Sequence, residues 1–129
     1  FLKKDFDKAK SYLLKAVNIS QKSKNQKNTL AGISYRILGE IAQMEQNDKL
    51  ALDYFQKSII QLDFDFKQTN FAKNPTNFNN GLNSFNLFKS LKMKAICLKK
   101  IYDMNQNQQY FLYLNLINYR PNFTIYSLM

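Results

Sequence analysis

Apolar residues recur three and four positions apart along most of this chain, the spacing that one buried face of an α-helix requires. Phe6, Ala9, Leu13, Ala16 and Val17 mark a helix over about 5–22, and Asp5 or Asp7 suits its positive N-terminal end. Leu30, Ile33, Ile37, Leu38, Ile41 and Met44 mark a second over about 26–46. A third follows Asn47–Asp48 and carries Ala51, Leu52, Phe55, Ile59 and Leu62. A fourth spans about 83–104, with Leu87, Phe88, Leu91, Ala95, Leu98 and Tyr102, and a polar turn separates it from a fifth over about 108–118.

The periodicity fails between 64 and 82. Five Asn, a Pro and a Gly fall there, together with Phe64, Phe66, Phe71 and Phe78. Connections of this length are uncommon inside compact domains. Four phenylalanines predict that this one packs back onto the helices; a functional loop is the rival reading. The tail, 120–129, contains the helix-ending Pro121 and has no clear period.

Two of the helices repeat each other. Ala51, Tyr54, Phe55, Lys57 and Ser58 stand 42 positions after Ala9, Tyr12, Leu13, Lys15 and Ala16. Small residues on either side of a large apolar one let a neighbouring backbone approach while the large side chain fills the groove. The segment before Ala51 adds Tyr35, Leu38, Gly39 and Ala42. Tyr35-x-x-Leu38-Gly39-x-x-Ala42, then Ala51, Phe55 and Ser58, resembles the tetratricopeptide signature. Departures are Ala42 where Tyr is usual, Ser58 for Ala, and Asp63 where Pro is common.

That resemblance implies an all-α fold: antiparallel helical hairpins stacked as a short α-solenoid of about five helices. The 42-residue spacing resembles the family's long-helix variants. In these terms 5–22 is the second helix of an incomplete repeat, 26–63 the clearest hairpin, 64–82 the connector and 83–119 a degenerate hairpin. Leu87-Phe88-x-x-Leu91-x-x-Lys94-Ala95, shortly after Asn74–Pro75, is similar to tetratricopeptide regions ahead of CHAT caspase-like peptidase domains, which implies an enzymatic domain downstream.

Composition agrees with a packed helical chain. Hydrophobic residues make up 45% of 129, and three Gly with two Pro are too few for the frequent turns of a β-sandwich. The net charge of +10 is unevenly placed: residues 1–30 carry +6, 31–66 carry −3 and 67–129 carry +7. A basic balance favours acidic partners, nucleic acid or anionic surfaces. However, 17 Lys against 2 Arg, with 16 Asn, also fits an A/T-rich coding bias.

Catalytic chemistry has little to draw on. Cys97 is the single cysteine and sits among apolar neighbours, and without histidine it lacks the usual activating base. A zinc site is equally unexpected. Glu40 and Glu45 diverge on a helix, Asp63 and Asp65 suit a helix end, and the three glycines form no phosphate loop. No cofactor, metal or enzymatic activity is expected. No run is apolar enough to span a bilayer, and no signal pattern opens the chain, so a cytoplasmic location is the expectation. Phe1 begins inside a helical pattern, as an excerpt would.

The surface is therefore the expected place of function. The tetratricopeptide resemblance implies that the first helix of each hairpin lines a partner groove, formed here by Ile33, Arg36, Glu40, Gln43 and Met44, and by Lys92, Lys99, Tyr102 and Asp103. Lysines there suit an acidic peptide. The family's C-terminal carboxylate clamp wants Asn one turn after the basic residue; Glu40 follows Arg36, so that ligand is not expected. A scaffold holding another polypeptide is the leading reading, and nucleic-acid binding through the Lys-rich ends is the alternative.

Overall fold

The computed structural model describes residues 3–22, 27–77 and 84–105. Four helices occupy them: α1 (Lys3–Gln21), α2 (Thr29–Met44), α3 (Asp48–Leu62) and α4 (Ser84–Asn105). No strand occurs among the described residues, so the chain is all-α there. The expected fifth helix and the tail lie outside the described residues.

Local chemistry sets the boundaries. Asn28 has extended backbone, and its side chain accepts the Ala31 N–H at 3.2 Å, the usual N-cap arrangement. Asn47 serves two helices. Its N–H donates to the Ala42 carbonyl at 2.8 Å, closing α2, and its side chain accepts the Leu50 N–H at 3.3 Å, opening α3. Gln46 between them has φ 62°, and its N–H returns to Gln43 O, a Schellman closure with Gln where Gly is usual. This reversal is short because one residue both ends a helix and starts the next.

Consecutive helices run antiparallel. Lys10 of α1 donates to Glu45 at the end of α2, 3.0 Å away, while Gln21 reaches the Tyr35 hydroxyl. Between α2 and α3 the approach is close at two points. A Cβ built on Gly39 would lie 2.5 Å from the Phe55 ring, and one on Gly32 would lie 2.5 Å from Leu62 Cγ. Both glycines and both large residues are seven positions apart, two helical turns, so small faces large twice along the crossing. Ala42, Ala51, Phe55, Ile59 and Leu62 then join Leu87, Leu91, Ala95 and Leu98 of α4 in one core. Leu38 is buried at 1% exposure outside that cluster, and Gly39 is the α2 position that stands directly against the Phe55 ring. Small polar residues let α3 and α4 approach. Ser90 donates to Ser58 Oγ at 2.7 Å, which leaves the Ser58 proton for the Gly32 carbonyl at 2.6 Å.

Residues 63–77 form a strap that packs back as expected. Phe66 is buried in the core and Phe71 packs partly against it, whereas Phe64 is exposed and Phe78 lies outside the described residues. Polar side chains of the helical body hold the strap by its carbonyls. The Gln56 amide N–H groups are shared among Gln68 O, Asn70 O and Lys73 O at 2.8–3.1 Å. Lys94, with 0% exposure, donates to Lys73 O at 2.9 Å and Asn74 Oδ1 at 2.8 Å. Lys27 donates to the carbonyls of Asp63 and Phe66. The Asp63 carboxylate accepts the N–H groups of Asp65 and Phe66, fixing the turn that leaves α3.

Candidate interaction groove

Helices α2 and α4 are not consecutive, yet they approach each other across the hairpin and leave a trough. Glu40, Gln43 and Met44 of α2 and Met93 and Lys100 of α4 line a cavity of about 480 Å³ in it. Met44 is 57% exposed and Met93 is half-buried. Methionine is unbranched and polarizable, so two of them give a wall that adapts to an apolar guest.

Charges flank this apolar centre. Glu40 accepts from Arg36 at 3.1 Å, one turn away, and Arg36 is itself buried with its Nε unpartnered among the described residues. Lys100 lies 3.4 Å from Asp48, and Lys99 pairs with Asp103 at 2.7 Å. The trough therefore presents one carboxylate on the α2 side and one ammonium on the α4 side, both partly neutralised. Behind it, Cys97 donates to the Asp48 carbonyl at 3.3 Å. Burial first, and the Asp48 charge after it, push its thiol up to about 12, so Cys97 stays protonated at neutral pH and is a poor nucleophile.

Of the residues expected in a groove, the cavity gathers Glu40, Gln43 and Met44. On α4 its lining residues are Met93 and Lys100, each one position beyond Lys92 and Lys99. Ile33, Lys92 and Tyr102 are half-buried and Asp103 is exposed, none of them in the cavity wall. The one-residue difference reflects how α4 is rotated about its axis on α3, which its own sequence period leaves open. The signature residues are all interior or nearly so: Ala42, Ala51, Phe55 and Ser58 are buried, and Tyr35 stacks on Tyr54 with ring centroids 6.1 Å apart.

Comparison with protein-family models, curated proteins and solved structures finds no match to this chain. The case for function therefore rests on the geometry. A second cavity, about 520 Å³, lies between the end of α3 and the strap, lined by Asp63, Asp65, Lys67, Lys73 and Asn74 among others. Its carboxylates and ammonium groups oppose each other. No cluster of three or more His, Cys, Asp or Glu that would hold a metal occurs among the described residues. None of the described helices is long and apolar enough to cross a membrane.

Proposed function

We propose that this chain is a tetratricopeptide-like interaction module that holds a short segment of another polypeptide in the trough between α2 and α4. The observation that carries this reading is the pair Met44 and Met93, brought from α2 and α4 to one open cavity with Glu40, Gln43 and Lys100 around it. Such a site takes an apolar anchor side chain in its centre, with polar groups at its rim setting orientation. The resemblance carried by Tyr35, Leu38, Gly39, Ala42, Ala51, Phe55 and Ser58 supports the same reading, since it implies that α2 and α4 are the groove-lining helices.

A peptide-display selection on the immobilised chain tests it. Selected peptides are expected to share one large apolar residue and to lose roughly tenfold or more in affinity when Met93 is replaced by Glu, which puts a charge in the anchor site. Selected peptides that bind Met93→Glu and Met44→Glu as tightly as the original chain would refute the groove.

A further inference from the structure

The outer face of α1 carries a pattern that the trough does not use. Phe6, Ala9, Leu13, Ala16 and Val17 are buried or half-buried, and Lys10 is tied to Asp7 and Glu45. On the other side, Lys8, Tyr12, Lys15 and Ile19 follow one another at intervals of four, three and four, and Lys22 follows three later in the turn that leaves the helix. At about 100° per residue, the four helical members fall on one narrow stripe. All five are exposed, Tyr12 at 62% and Ile19 at 64%.

We infer that this stripe is a docking surface for an amphipathic helix whose apolar seam is flanked by acidic residues. Tyr12 and Ile19 are seven positions apart, the repeat with which one helix lays knobs along another. Lys8, Lys15 and Lys22 keep the same seven-residue interval, so every apolar contact is bordered by ammonium groups. None of the three forms an ion pair among the described residues, where all nine Asp and Glu side chains lie. Acid side chains on the arriving helix satisfy that charge.

The alternatives fit less well. A second copy carries a net charge of +10 and offers little acid: six of its nine Asp and Glu residues, Asp7, Glu40, Glu45, Asp48, Asp53 and Asp103, are already paired, and α4 again presents lysine, with Lys89 over the exposed Phe85 ring. Single-stranded nucleic acid uses successive aromatic platforms, and the stripe has one. A lipid surface takes a broad apolar face, whereas here each apolar residue has a lysine beside it.

The test uses fluorescence anisotropy with three labelled peptides of about three heptads: leucines at the seam flanked by glutamates, the same leucines flanked by lysines, and a scramble of the first. The glutamate peptide is expected to bind roughly tenfold or more tightly than either other. Tyr12→Asp with Ile19→Asp is expected to remove that preference. Reversing the stripe with Lys8→Glu, Lys15→Glu and Lys22→Glu is expected to transfer it to the lysine peptide. These side chains are exposed, so helicity by circular dichroism should be retained; Tyr12→Ser with Ile19→Ser replaces any variant in which it is not. Equal binding of the scramble, an unchanged preference after charge reversal, or tighter binding of oligouridine or of phosphatidylserine vesicles overturns the proposal.

Discussion

At the residue scale, the least ordinary feature is Lys94. It is fully buried and donates to a carbonyl and an amide oxygen, with no carboxylate in hydrogen-bond contact. Burial lowers its ammonium from 10.5 to about 7. The unfolded chain thus holds this proton up to about 10.5, while the folded chain releases it near 7. Between those values the unfolded state binds more protons, so stability rises with pH; below about 7 both states are charged and the full burial cost is present. Cys97 acts oppositely above about 9, because the folded state keeps the thiol protonated up to about 12. The clean window is therefore pH 7 to 9. Urea denaturation of the original chain and of Lys94→Met across that window is expected to diverge, the original gaining roughly 1.4 kcal/mol per pH unit relative to the variant. Parallel curves would mean that the amine is solvated in the folded state.

At the element scale, the α2–α3 crossing depends on absent side chains. Gly39 is in the middle of α2 and Gly32 in its first turn; within a helix interior glycine costs about 1 kcal/mol relative to alanine. Gly39→Ala would recover that propensity but place a Cβ 2.5 Å from the ring of Phe55, which has 0% exposure and no room to move. Overpacking of this kind costs on the order of 1–3 kcal/mol, so the steric effect wins and the substitution is expected to lower the urea midpoint. A neutral or stabilising result would show that the helices stand further apart. The importance of Gly39 and Phe55 was legible in the chain, since the small and large residues recur at marked intervals. That Gly32 and Leu62 repeat the same contact was missed, although their seven-residue offsets from Gly39 and Phe55 were there to find. The strap was half legible: phenylalanines predicted its return to the core, but nothing local to Gln56, Lys27 or Lys94 marks them as the donors that hold it.

At the scale of the whole molecule, two opposing terms govern association. A net charge of +10 repels copies from one another, while Tyr12, Ile19, Met44, Phe85 and Met104 expose apolar surface on several sides. Salt screens the first without weakening the second, the Debye length falling from about 10 Å at 0.1 M to about 3 Å at 1 M. Sedimentation velocity is expected to show a monomer at low salt and a concentration-dependent rise in mass at high salt. A mass that instead falls with added salt would mean that ion pairs, not apolar faces, join the copies.

The sequence alone determined that the described chain is helical, where the helices lie to within a few residues, and which faces are apolar. Those properties follow from a 3.6-residue period and from caps such as Asn28 and Asn47, all of them local. Tertiary structure decided the rest. Whether Met93 or Lys92 faces the trough depends on the rotation of α4 against α3. Whether Lys94 is a solvated charge or an interior donor depends on a strap some 20 residues away along the chain. The α1 stripe became visible as a surface only once α2 had covered the opposite side. Periodicity assigns a residue to a face; only packing says what that face meets.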